Sequence, residues 1–180
     1  MRLRLRFAAA AVSTVAIAGC ATMNVSSHIE RAINFTQYRT YDWGPADALP
    51  TGDPRLDNNP FFHDYFQGSI EKQLARKGYT KSTASTPDLL FHYHASVNHR
   101  FEVYSRDQQY GYCYQNCEPQ VIDYQQGTLV LDVGDTKTKR VVWRGWAQDS
   151  VEGIIDNQER LERQISEAVT RMMARFPAVF

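Results

Sequence analysis

The stretch DLLFHYHASVNHRFEVY, residues 88–104, alternates between apolar and polar side chains along most of its length. Successive side chains of a β-strand point to opposite faces, so this alternation predicts one long strand with one buried face. A strand that is buried on one face and exposed to solvent on the other is typical of an antiparallel sheet covered on a single side. The apolar parity holds Leu89, Phe91, Tyr93, Ala95, Val97 and Phe101, and the polar parity holds His92, His94, Ser96, Asn98 and Arg100.

Two segments farther along the chain repeat this period of two. Residues 121–133 and 141–147 are joined by a polar turn over residues 134–139, which predicts a hairpin. Toward the N-terminus, residues 25–29 and 39–43 are predicted to form shorter strands. Residues 46–58, with three turn-forming glycine and proline positions, are expected to form a surface loop.

Two helices are predicted around these strands. Asn59 is the expected N-cap of the first, Pro60 its first residue and Gly78 its left-handed C-terminal residue. The second is expected to start at a capping-box-like pair, Asp156 and Glu159, and to end before Pro177. The apolar stripes are Phe62, Phe66, Ile70 and Leu74 in the first helix, and Leu161, Ile165, Ala168, Val169, Met172, Met173 and Phe176 in the second.

The order of these elements predicts the fold class. One or two strands, a helix, three strands and a final helix indicate an α+β domain. We expect an antiparallel sheet of four or five strands, with both helices packed on one face. Residues 25–180 are expected to form this single domain.

The N-terminus has the layout of a processing signal. Arg2, Arg4 and Arg6 precede residues 7–19, which carry no charge. Thirteen helical residues rise only about 20 Å, too little for a hydrocarbon core of about 30 Å. A short apolar run after positive charges predicts a secretory signal peptide over residues 1–19.

The end of this run, Ile17-Ala18-Gly19-Cys20, resembles a bacterial lipobox. The resemblance implies a diacylglyceryl group on Cys20, cleavage before it and acylation of the new N-terminus. Residues 20–24 are then the lipidated cysteine and a short linker. Ala21 stands where aspartate commonly marks inner-membrane retention, so we expect a lipid anchor in the outer membrane, facing the periplasm. The alternative is ordinary secretion, with Cys20 unmodified.

Charge and cysteine content narrow the function further. Without the three signal-peptide arginines, the chain has 17 basic and 20 acidic residues and no clustered basic field, so no nucleic-acid partner is expected. Cys113 and Cys117 are the cysteines left after lipidation, and an even number in an oxidising compartment favours a disulfide between them.

Two histidines offer an alternative of a different class. His92 and His94 share one face of the predicted strand and could hold a metal or small ligand, with help from the Tyr- and Cys-rich loop at residues 105–119. A zinc site needs three or four ligands, so reduced Cys113 and Cys117 would have to complete it. No glycine-rich phosphate loop or nucleophile-elbow motif is present in the sequence. We therefore expect no enzyme activity and no cofactor.

Several short motifs, in this order, resemble the bacterial lipoproteins of the domain of unknown function 4136 family. The resemblance covers nearly the whole chain after the signal. It implies a cell-envelope lipoprotein with a small α/β domain, and it implies no activity. The motifs lie at residues 38–43 (YRTYDW), 77–79 (KGY), 87–94 (PDLLFHYH), 127–132 (GTLVLD) and 142–145 (VWRG).

The leading interpretation is a non-enzymatic, membrane-anchored envelope lipoprotein that works by contact. If two helices cover one sheet face, the other must meet water or a partner. Strand parity assigns seven residues to that face: His92, His94, Asn98, Arg100, Val142, Arg144 and Trp146. Arg144 and Trp146, beside His92 and His94, are the candidate docking patch for another envelope protein or a second copy. The alternative is that Trp146 lies under a loop or under the segment of residues 46–58.

Overall fold

The computed structural model describes residues 23–45, 50–83, 86–104 and 120–179. These residues form a six-stranded mixed sheet with three α-helices. The helices are α1 (Pro54–Asp57), α2 (Pro60–Arg76) and α3 (Gln158–Met173). The strands are β1 (Asn24–Ile29), β2 (Thr40–Trp43), β3 (Thr80–Lys81), β4 (Leu89–Tyr104), β5 (Gln120–Asp135) and β6 (Val141–Ser150).

The strand order is β1-β6-β5-β4-β2-β3. Strands β4, β5, β6 and β1 pair antiparallel, and the predicted hairpin is confirmed as β5 and β6. Strand β2, however, runs parallel to both β3 and β4. The predicted sheet of four or five antiparallel strands with two helices is therefore wrong in its strand count, its strand direction and its helix count.

The parallel pairs follow from the connection between the strands. Strands β2 and β4 are neighbours in the sheet, but the chain passes through α2 between them. A helical crossover of this kind returns the chain in its original direction, so the neighbouring strands run parallel. The additional elements are small: α1 is one helical turn inside the expected loop at 46–58, and β3 has two residues in a polar connection.

The first long helix has the predicted ends. The Asn59 side chain accepts hydrogen bonds from the amides of Phe61 and Phe62. Gly78 has φ +87°, the left-handed conformation that glycine adopts without a Cβ clash. All four residues of the predicted apolar stripe are buried.

The last helix starts one residue later than expected. Asn157 is its N-cap and accepts a hydrogen bond from the amide of Arg160. The predicted cap, Asp156, instead forms an ion pair with Arg55, at 2.5 Å between Nη1 and Oδ2.

Helices α2 and α3 pack on the same face of the sheet. The Phe66 ring lies 4.7 Å from the Tyr93 ring between centroids, and Phe176, just after α3, contacts both Phe91 and Trp143. A Cβ added to Gly145 would come within 2.7 Å of a Met172 side-chain carbon. The glycine thus lets α3 approach β6, and the core lies between the two helices and this face.

Candidate functional site

We call the side of the sheet opposite α2 and α3 the outer face. Strand register aligns two rows of side chains across it. The outer face thus brings together all four residues that the sequence predicted for a partner surface. One row holds His28, Arg144, Asp132 and His92, and the next holds Ser26, Trp146, Val130 and His94.

Arg144 is held in a fixed geometry by Asp132. Its Nε lies 2.5 Å from Oδ1 of Asp132 and its Nη2 lies 2.6 Å from Oδ2, so the pair is bidentate. These hydrogen bonds raise the pKa of the Arg144 guanidinium. Both side chains are partly exposed, and a pair of this kind contributes only about 0–1 kcal/mol to stability. Its main effect is to orient a planar cation on the sheet surface.

Trp146 is half-buried on the same face, two residues after Arg144 in β6 and in the next row of side chains. Its cross-strand neighbours are Ser26 and Val130. The indole ring and Val130 therefore form an apolar centre next to the Arg144–Asp132 pair.

One residue that parity assigned to the outer face is misplaced. Val142 is only 1% exposed. Val133 pairs with Trp143, whereas Gly134 pairs with Val141, so β6 carries one extra residue at this point. Such a β-bulge interrupts the alternation of side chains, and a count from the sequence cannot locate it.

The two histidines lie in different settings. His92 is exposed and lies over Gly44, where an added Cβ would come within 1.9 Å of the imidazole carbon Cε1. His94 is half-buried in the row of Trp146. In the described part of the chain, no three His, Cys, Asp or Glu residues come together as a metal site. The proposed contribution from Cys113 and Cys117 lies outside the described residues, as do their predicted disulfide and Cys20.

An apolar cavity lies between the other face of the sheet and the start of α3. The cavity has a volume of about 60 Å³, and its walls include Met23, Leu56, Phe62, Ala95 and Ile165. Drug-sized ligands occupy pockets of about 300–1,000 Å³. This space is therefore a packing gap too small for such a ligand.

Sequence reasoning missed two polar contacts. The Tyr93 hydroxyl hydrogen-bonds Nδ1 of His63 on α2, and burial raises the pKa of Tyr93. The other is the ion pair between Arg144 and Asp132, the last residue of the motif at 127–132. A buried tyrosine hydroxyl usually has a polar partner, so a partner for Tyr93 could have been expected from the sequence. The Arg144–Asp132 pair depends on the register of the β5–β6 hairpin, which the bulge shifts by one residue.

Comparison with known proteins identifies the domain. The sequence profile of a family described as "Domain of unknown function (DUF4136)" matches residues 25–178. The chain belongs to the DUF4136 family. The resemblance expected from the sequence is thus confirmed, and no curated protein matches significantly.

Solved structures share the fold of this DUF4136 domain at low identity. A PDZ domain protein from Parabacteroides distasonis is similar at 17% identity and TM-score 0.55, over 86% of this chain but only 36% of that chain. A PelC dodecamer from Paraburkholderia phytofirmans is similar at 10% identity and TM-score 0.50, over 87% of this chain and 98% of that chain. Identities this low show the fold alone. In the described ranges, no helix is long and apolar enough to cross a membrane.

Proposed function

We propose that this DUF4136 protein is a lipid-anchored lipoprotein of the cell envelope that works by contact with a partner and not by catalysis. Its lipid anchor is Cys20 and its membrane is the outer membrane, with the domain on the periplasmic side. The partner surface is the outer face around Trp146 and Arg144. The observation that carries this proposal is a half-buried tryptophan beside an oriented arginine on the sheet face opposite both long helices.

The chemistry of this surface supports contact. Tryptophan and arginine are the side chains most enriched at binding hot spots, because each covers a large area and keeps a polar group. The Asp132 carboxylate orients the Arg144 guanidinium before any partner arrives, so less side-chain freedom is lost on binding. The apolar centre is Trp146 with Val130, and the rim is polar.

The position of strand β1 supports the anchor. Strand β1 begins at Asn24, four residues after Cys20. Four residues span at most about 14 Å, which keeps the domain close to any membrane that holds the lipid. The partner is then another envelope protein or a second copy of this chain. The similar PelC structure is a dodecamer, so self-association is the first partner to test.

The experiment is photocrosslinking in intact cells. A photoreactive amino acid at Ser26, the cross-strand neighbour of Trp146, should give a specific crosslinked species. Trp146→Ala, combined with Arg144→Ala and Asp132→Ala to remove both members of the ion pair, should abolish it. The melting temperature should change by no more than a few degrees, because these side chains are partly exposed.

The matched control removes another exposed ion pair, Arg163 with Glu159 on α3. Arg163→Ala with Glu159→Ala should leave the crosslink unchanged. An intact crosslink in the outer-face variant, or an unfolded domain, would show that the face is structural and not a docking surface.

A further inference from the structure

Strand β1 forms one edge of the sheet, because among the described residues it pairs with β6 alone. The amide of Glu30, the residue after β1, donates to the carbonyl of Val142 at 2.9 Å. The backbone groups of successive residues in an antiparallel strand point to its two sides in alternation. Asn24, Ser26 and His28 therefore direct their N–H and C=O groups toward β6.

The intervening residues of β1 direct their backbone groups away from the sheet. They are Val25, Ser27 and Ile29, and in the described ranges no hydrogen bond reaches their N–H or C=O groups. The carbonyl of Met23, which comes before them on the same side, accepts a hydrogen bond from Arg171 of α3 at 2.8 Å. The open edge therefore runs from Val25 to Ile29 and presents donors and acceptors in alternation.

The two edges of the sheet differ in their protection. Natural sheets protect an edge from strand pairing by a short strand, by lysine or proline, or by a β-bulge. The opposite edge is the two-residue strand β3, which ends at Lys81. Strand β1 has six residues without lysine or proline, and its register with β6 is unshifted. Strand β1 therefore lacks the features that block the addition of another strand.

The side chains of β1 define what an added strand must carry. Val25 is 9% exposed and belongs to the core, whereas Ile29, which shares its parity, is 39% exposed. Ser26 and His28 lie on the outer face. Directly opposed side chains of neighbouring strands contact each other. An added strand would thus cover Ile29 with an apolar side chain and place polar side chains beside Ser26 and His28.

A second copy of this chain is a poor occupant of the edge. A two-fold axis through this edge would pair β1 with β1 of the other copy in opposite directions. The residues before Asn24 would then leave the two copies toward opposite ends of the joined sheet. With the proposed anchor at Cys20, one copy would direct its lipid away from the membrane that holds the other. A different protein has no such restriction.

We propose that β1 accepts an extended segment of another envelope protein as a seventh strand of the sheet. The segment hydrogen-bonds to the backbone of Val25, Ser27 and Ile29, and its side chains alternate between apolar and polar. This inference goes beyond the proposed function, because it uses the edge of the sheet and not the face around Trp146. The envelope location and the exclusion of a second copy rest on the proposed anchor.

The test is photocrosslinking in intact cells, read at the level of single residues. A photoreactive residue at Ser27 or at Ile29 should capture one segment of one other protein, located by mass spectrometry of the crosslinked peptides. Because the added strand lies beside β1, the two captured positions should be about two residues apart in that segment. The same photoreactive residue at Thr80, on the protected edge, is the control and should not capture this segment.

Two proline variants separate the open edge from the pairing with β6. Ser27→Pro removes an outward N–H, so it should reduce the Ile29 crosslink about tenfold or more while the domain stays folded. Ser26→Pro removes an amide that bonds to β6, so it should lower the melting temperature further than Ser27→Pro does. If Ser27→Pro does not fold, Ser27→Lys places a charge at the same edge and should give the same loss of crosslink.

Three outcomes would overturn the inference. An unchanged Ile29 crosslink in folded Ser27→Pro or Ser27→Lys would mean that the partner docks elsewhere. Crosslinks between two copies of this chain would mean that β1 joins copies and not a different protein. Scattered captures from many proteins, or no capture at Ser27 and Ile29, would mean that no strand is added. The outer-face contact is measured separately, from Ser26, so its failure is distinguishable from a failure here.

Discussion

Among single residues, the clearest stabilising contacts are made by the buried carboxylate of Asp135, the last residue of β5. The Tyr38 hydroxyl donates to Oδ2 of Asp135 at 2.8 Å, and the amides of Lys137 and Thr138 donate to Oδ1. Burial alone would raise the pKa of Asp135, but these hydrogen bonds outweigh it and lower the pKa. Tyr38 therefore ties the segment before β2 to the β5–β6 turn, 97 residues later.

Removal of this hydroxyl should destabilise the domain. Tyr38→Phe leaves a buried carboxylate without one donor, so the free energy of unfolding should fall by about 1.5–3 kcal/mol in denaturant titrations at neutral pH. Without the Tyr38 donor, the folded-state pKa of Asp135 rises toward its ordinary value. In the wild type, the lowered pKa of Asp135 stabilises the folded state at any pH above the ordinary pKa of an aspartate. This stabilisation is lost as the pH falls through the lowered pKa. The difference between the two proteins should therefore shrink below about pH 4.

Tyr79→Phe is the matched control. Tyr79 is also buried, but in the described part of the chain its hydroxyl has no hydrogen-bond partner. Removal of an unpaired buried hydroxyl should leave stability unchanged or raise it by up to about 1 kcal/mol. Equal losses in the two variants would refute this role of the Tyr38–Asp135 hydrogen bond.

At the scale of elements, residues with strong local signals were predicted correctly. Asn59, Pro60 and Gly78 mark the ends of α2, and the alternation in residues 88–104 gives β4 almost to the residue. The sequence did not predict that β2 runs parallel to its neighbours, because the alternation in residues 39–43 is the same for a parallel and an antiparallel strand. Helix α1 was missed because its four residues make about one turn, too few to show a repeating apolar pattern. In the candidate site, parity placed Arg144, Trp146, His92 and His94 correctly on one face, but the bulge misplaced Val142 and concealed the register of Asp132.

The packing of α3 on the sheet is open to a direct measurement. Ile165 is buried in the predicted stripe, so Ile165→Ala should reduce the free energy of unfolding by about 2–5 kcal/mol. The neighbouring Ser166 is exposed, and Ser166→Ala should change it by no more than about 0.5 kcal/mol. A loss below about 0.5 kcal/mol for Ile165→Ala, measured in urea, would mean that α3 contributes little to the core.

At the scale of the whole molecule, the proposed surfaces have a consistent arrangement. Strand β1 begins at the end of the sheet where β4 and β5 extend past β6, so a lipid on Cys20 would turn this end toward the bilayer. The strands would then run away from the membrane surface, and the outer face with Trp146 would point parallel to that surface. A second envelope protein, or a second copy on the same membrane, could then reach that face.

The central claim is that Cys20 holds the domain on a membrane. The most direct test compares the wild type and Cys20→Ser after cell fractionation with high-salt and carbonate washes. The wild type should stay in the outer-membrane fraction, because several acyl chains anchor stably whereas one gives only marginal binding. Cys20→Ser should move to the soluble fraction with its fold intact. A Cys20→Ser protein that stays membrane-bound through both washes would contradict the account.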